Sequence, residues 1–213
     1  MDLSMPASRH SRTTWWIAAL FAAGSTCFLV APIPAFAQLV GPGVDGLVFF
    51  VGSLFFTTAA GLQWWDTKLL SAEPPRLDRW SSGVQFVGTL FFNATTFRAL
   101  QLGFDSPDYD RLVWRPDAFG SICFLISGYL AYVQVTGHLL SLPRRTLESA
   151  IATVNLLGCL AFGASAAASY VIPAAGDELN ATVVNSCTAL GALCFLIGAL
   201  LLFPQRAREP RPV

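Results

Sequence analysis

Six runs of predominantly apolar residues alternate with short polar connectors along the chain, at about 14–35, 44–64, 80–101, 117–138, 147–171 and 181–203. Each is nearly free of charge and is bounded by Pro, Gly, Trp or charged residues. A bilayer core takes about 20 predominantly apolar residues per helix, so each run is predicted to be a transmembrane helix. The connectors are too short for a soluble module. The chain therefore reads as one all-α polytopic membrane domain over 1–213, a bundle of six helices, with 1–12 and 204–213 expected to lack fixed structure.

A finer pattern lies inside these runs. One glycine in each opens the phrase G-x-x-x-F: "GSTCF" (24–28), "GSLFF" (52–56), "GTLFF" (88–92), "GSICF" (120–124), "GCLAF" (158–162) and "GALCF" (191–195). Seven residues past each glycine stands another small residue: Ala31, Ala59, Thr95, Ser127, Ser165 and Gly198. Positions 0, +4 and +7 share one helical face. Lipid tails are as apolar as leucine, so membrane helices associate through close packing and interhelical hydrogen bonds, which small residues allow. A glycine beside a phenylalanine one turn on supplies a notch and a knob on the same face. The phrase is thus a packing element. Two groupings fit it: three helical hairpins (segments 1–2, 3–4 and 5–6), or two inverted halves of three helices, an arrangement known from transporters.

The stretch "FFVGSLFFTTAAGLQWW" (49–65) resembles the hairpin helices of the YrhK-like family of small bacterial membrane proteins, which carry G-[ST]-x-x-F in each helix. "RLVWRPDAFGSICFLISGYLAY" (111–132) is similar to uncharacterised integral membrane proteins of high-GC bacteria. The resemblance covers segments 1–4 best and reaches 5–6 through the degenerate motif alone. It implies a membrane location and no established activity, and it carries over no catalytic residue.

Composition and charge sharpen the picture. Only 12% of the 213 residues are charged, half the roughly 25% of a soluble domain. A formal net charge of zero gives no basic field for nucleic acid. Lys and Arg are unevenly placed. With the N-terminus inside, the inner segments hold Arg9, Arg12, Lys68, Arg76, Arg79, Arg144, Arg145, Arg206, Arg208 and Arg211, ten of thirteen. The outer ones hold Arg98, Arg111 and Arg115 beside Asp45, Asp105, Asp108, Asp110, Asp117, Asp177 and Glu178. The positive-inside rule then puts both termini in the cytoplasm, with the protein multi-pass in the cytoplasmic membrane. Trp15, Trp16, Trp64, Trp65 and Trp80 fall near the inner interface, where indoles anchor helices. Residues 12–37 also read as a signal peptide, an apolar run ending in "PAFA" before Gln38; cleavage there would leave five helices.

Little in the chain points to chemistry. It holds no phosphate loop, H-E-x-x-H or Ser/His/Asp set, so no catalytic residue, cofactor or metal ligand is assigned and the protein is read as a non-enzyme. Five cysteines without CxxC or Cys/His spacing give neither a disulfide framework nor a metal site. The acids of the loop 99–116 lack the glycine and terminal Glu of a calcium loop, and Arg111 offers them a partner. What remains is a polar stripe one position past the glycines: Ser53 and Thr57 in segment 2, Thr89, Asn93 and Thr96 in segment 3, with Arg98 at its outer end. Asn93 near mid-membrane needs a partner, for which Ser53 or Thr57 is placed. The stripe is either interhelical glue or the lining of a polar pocket. Two functions follow: a packing or partner-binding membrane protein, as a homo-oligomer or with another membrane protein, or a small-solute transporter or channel.

Overall fold

The computed structural model describes residues 7–67, 76–138, 141, 143, 145–172 and 177–207. Apart from a two-residue β pairing of Val171–Ile172 with Asp177–Glu178, its regular structure is helical: α1 (Ala7–Val30), α2 (Pro34–Val40), α3 (Pro42–Trp65), α4 (Arg76–Ala99), one π-helical turn (Asp110–Trp114), α5 (Arg115–Thr136), α6 (Leu147–Ala168) and α7 (Ala181–Ala207). Among the described residues, five helical stretches are long and apolar enough to cross a membrane: 12–30, 42–65, 110–136, 147–168 and 181–203. The protein is a multi-pass membrane protein by that measure.

Local chemistry sets the helix ends. Segment 1 was expected to run to residue 35, but α1 stops at Val30. Pro32 and Pro34 lack the N–H that an α-helix needs and push their predecessors away from helical backbone. The short α2 then ends at Gly41, whose φ of 81° is open to glycine without a Cβ penalty. Pro116 sits in the first turn of α5, where a missing N–H costs nothing, and Gly137 at φ 89° closes that helix. Thr146 accepts a hydrogen bond from Ser149 N at 3.2 Å to cap α6. Asn180 caps α7 by accepting from Val183 N at 3.0 Å. The expectation of unstructured ends meets helix at 7–12 and 204–207; at 1–6 and 208–213 it lies outside the described residues.

The six long helices form a closed ring in which α1 packs on α3 and α7, α4 on α3 and α5, and α6 on α5 and α7. Trp15 of α1 meets Phe203 of α7 at 6.1 Å between ring centroids, so the first and last helices bring their terminal ends together. Inside the ring the glycines of neighbouring helices meet. A methyl group built on Gly24 would lie 2.9 Å from the Gly52 carbonyl oxygen and 2.7 Å from the Phe56 ring; on Gly52, 3.0 Å from Phe28. Between α4 and α5 the same holds, Gly120 lying against the Gly88 carbonyl and Phe92, and Gly88 against Phe124. Between α6 and α7, a methyl group built on Gly158 would lie 3.1 Å from the Gly191 carbonyl oxygen, and one on Gly191 3.0 Å from the Gly158 carbonyl oxygen, with Phe195 and Phe162 alongside. In each pair the glycine of one helix receives the phenylalanine of the other.

These six rings fill the middle of the bundle. Within the pairs, centroids are 5.7 Å apart for Phe28–Phe56, 5.0 Å for Phe92–Phe124 and 5.4 Å for Phe162–Phe195. Across pairs, Phe56, Phe124 and Phe195 form a triangle with sides of 6.5, 5.9 and 5.8 Å. Phe162 reaches both Phe28 and Phe92, at 5.9 and 6.0 Å. Such separations suit edge-to-face and tilted aromatic contacts. The residues two past each glycine, Thr26, Leu54, Leu90, Ile122, Leu160 and Leu193, all face outward.

Because the notches are tight, enlarging one must displace backbone or ring. Gly191→Val should destabilise the detergent-solubilised protein by about 1–3 kcal/mol, the usual cost of overpacking, read as a lower unfolding midpoint. Gly43→Ala, with nothing within 4 Å of the added methyl, should leave the midpoint unchanged or slightly raised; equal losses in both would contradict this packing.

Candidate functional site

Two cavities flank the aromatic layer, one at each end of the ring. The first, about 210 Å³, lies at the end holding the starts of α3, α5 and α7 and the close of α1, α4 and α6. Its floor is formed by Phe28, Phe56, Phe92, Phe124 and Phe162. The second, about 260 Å³, lies at the opposite end, among Thr14, Gln63, Asp66, Asp78, Ser81, Gln85, Ser127 and Asn155, with Phe124 and Phe195 closing it. Phe124, 1% exposed, borders both cavities. The rings are therefore the partition between them.

Hydroxyl pairs between adjacent helices line the first cavity. Ser53 of α3 and Thr96 of α4 share a hydrogen bond of 3.0 Å. Ser165 of α6 and Thr188 of α7 share one of 2.7 Å, and Ser165 Oγ also donates to the Val184 carbonyl at 3.0 Å. Ser121 Oγ of α5 makes a long 3.5 Å contact to the Phe162 carbonyl of α6. These hydroxyls satisfy one another and the backbone, as polar groups in a membrane must.

The rim carries the charge. Asp117, in the first turn of α5, lines the cavity and accepts a long 3.5 Å contact from Ser169 Oγ of α6. Nearby cations are engaged elsewhere: Arg115 with Asp110 at 2.8 Å, and Arg111 with Asp108 at 3.1 Å. Those pairs account for two of the loop acids considered as cation ligands. Tyr109 and Trp114 also line the cavity. Burial, then the charges of Glu178 and Asp117, push the Tyr109 phenol above its usual range, so it stays neutral at any physiological pH. Trp114 is fixed by its Nε1–H donating to the Ala166 carbonyl at 2.9 Å and by an edge contact with Tyr170 at 4.9 Å.

The polar stripe divides. Ser53 and Thr96 line the first cavity. Thr57 faces α4, donating to the Ser53 carbonyl at 3.0 Å and approaching the Thr89 carbonyl at 3.4 Å. Thr89 is fully buried and donates to the Phe86 carbonyl at 2.6 Å. Arg98 donates to Gln101 Oε1 at 3.1 Å on the exposed surface. Asn93 takes neither expected partner: Ser53 is spent on Thr96, and the buried Asn93 Oδ1 has no hydrogen-bond partner. Asp117, Ser165, Ser169 and Thr188 belong to the cavity but not to the stripe. The sequence already sets Asp117 at the start of the run 117–138, beside Pro116, which marks a helix start; what it does not show is that the first turn of α5 faces a cavity.

Comparison of the chain with protein-family models, with curated proteins and with solved structures returns no match.

The hydrogen-bond geometry separates Thr96 from Asn93. Thr96→Val should lower stability by about 0.6 kcal/mol, the average of an interhelical bond in a membrane. Asn93→Leu should be neutral or stabilising, because an unpartnered buried acceptor is replaced by an apolar side chain. Unfolding midpoints in detergent read both; a large loss for Asn93→Leu would show that its carbonyl is bonded after all.

Proposed function

We propose that the protein is a six-span carrier of a small solute in the cytoplasmic membrane, non-enzymatic and free of cofactor, built from three copies of one helical hairpin. The observation that carries this reading is the pair of cavities facing opposite ends and parted by one layer of rings. The sequence alone favours a packing or partner-binding role, but packing by itself gives no reason for two cavities on one axis, each with hydroxyl and carboxyl groups in its wall. Alternating access needs such a site between two gates, with helical repeats moving against each other. Hairpins locked by Gly–Phe contacts are suitable rigid units.

The sixth span is α4, whose polar side chains lower its mean hydropathy. Ser81, Ser82, Thr89 and Thr96 are buried against neighbouring helices, whereas Trp80, Val87, Leu90 and Phe97 face outward. Its outward side from Trp80 to Phe97 is thus apolar, with Arg79 and Arg98 exposed just beyond. The charge asymmetry of the connectors supports cytoplasmic termini, so the first cavity opens outward. The hairpin construction also agrees with the resemblance of segments 1–4 to YrhK-like hairpins.

Single cysteines in a background where the five native ones are alanine test access. In intact cells a membrane-impermeant methanethiosulfonate should modify Asn185→Cys in the first cavity. Gln85→Cys in the second should react only in inverted vesicles. No modification of either from any side would mean a sealed bundle, and the carrier reading would give way to a packing role; the reverse sidedness would overturn the orientation.

A further inference from the structure

We infer that the outward cavity recognises a small organic cation, an alkylammonium group, through Asp117 and the surrounding aromatic rings. The inference rests on the solute-binding reading above and names the class of solute.

The cavity contains one described carboxylate, Asp117, and no described Lys, Arg or His lines it. Its neighbouring guanidinium groups are paired with Asp110 and Asp108, and its own contact is a neutral serine hydroxyl at 3.5 Å. A carboxylate at the edge of a membrane-spanning bundle is costly unless paired, and such groups mark substrate or ion paths. The missing partner is a cation. The walls favour a soft one: Tyr109 and Trp114 at the rim and five phenylalanine rings below. Aromatic faces attract cations within about 6 Å of the ring centre, most strongly where water is excluded, and quaternary ammonium groups are recognised in this way. A bare metal ion would need several hard oxygens converging on one point; here the hydroxyls are spent on interhelical bonds. About 210 Å³ holds a solute of a few heavy atoms, well below the size of most drug-binding clefts.

The second cavity is also acidic, with Asp66 and Asp78 among its lining residues. A cation released across the partition would therefore meet carboxylates again.

The test is calorimetric titration of the full chain in phosphatidylglycerol nanodiscs with choline chloride. Its neutral isostere, 3,3-dimethylbutan-1-ol, serves as the matched control. Choline should bind and the alcohol should not, and Asp117→Asn should weaken choline by about tenfold or more. Asp117→Glu should restore part of the affinity. Repeating the titration in phosphatidylcholine nanodiscs separates the sources of the ammonium group: an unchanged constant means a free solute, and a weakened one means a lipid headgroup competing for the site. Both support the assignment. Equal binding of choline and the alcohol would overturn it while leaving the cavity a solute site. Binding of neither, with Asn185→Cys still modified from outside, would also overturn it and leave the carrier reading standing. If Asn185→Cys is unreactive as well, the carrier reading itself fails.

Discussion

Between two helices in lipid there is no water to expel, so leucine against leucine gains nothing over leucine against an acyl chain. Shape has to do what hydrophobicity does elsewhere. In this bundle the shape is a glycine notch facing a phenylalanine ring, met reciprocally between α1 and α3, α4 and α5, and α6 and α7. Because the glycines bring the backbones close, all six rings project toward the bundle centre instead of into the lipid. The same contacts that hold the helices together therefore build the partition across the middle, and the partition in turn defines a cavity on either side.

A second constraint follows from the first. Close packing of six helices leaves buried hydroxyls that must find partners within the protein. They do so across helix boundaries: Ser53 with Thr96, Ser165 with Thr188, and Ser81 with Ser127 at 3.2 Å. Two of these pairs edge the first cavity and the third edges the second. Polar lining and structural hydrogen bonding are one set of side chains, so a stripe that looks like glue and one that looks like a pocket need not be alternatives.

How much of this was readable in the chain depends on the distance over which each feature is decided. The glycine and phenylalanine positions were legible because they follow from local spacing, and the residues buried along the helices repeat that spacing. The break between α1 and α2 at Pro32 was also written locally but was overridden by the apolar run. Asp117 opens the fourth apolar run at 117–138, so its place at a helix start is legible, but in the chain it counts only as one more outer acid; the cavity it lines is made by other helices. Asn93 failed differently. Which hydroxyl bonds to which depends on the relative height of α3 and α4, and no pattern within one helix records that.

A single layer of phenylalanines separates the two cavities, with Phe124 common to both. Proteoliposomes holding the wild-type protein or Phe124→Ala, each checked for folding by its unfolding midpoint, can be shrunk osmotically with glycerol and followed as they reswell. Wild-type vesicles should reswell at the rate of protein-free lipid, and folded Phe124→Ala vesicles should reswell faster, because the cavities have joined. Identical rates for the two folded proteins would contradict that separation, and the rings would then be packing and not a barrier.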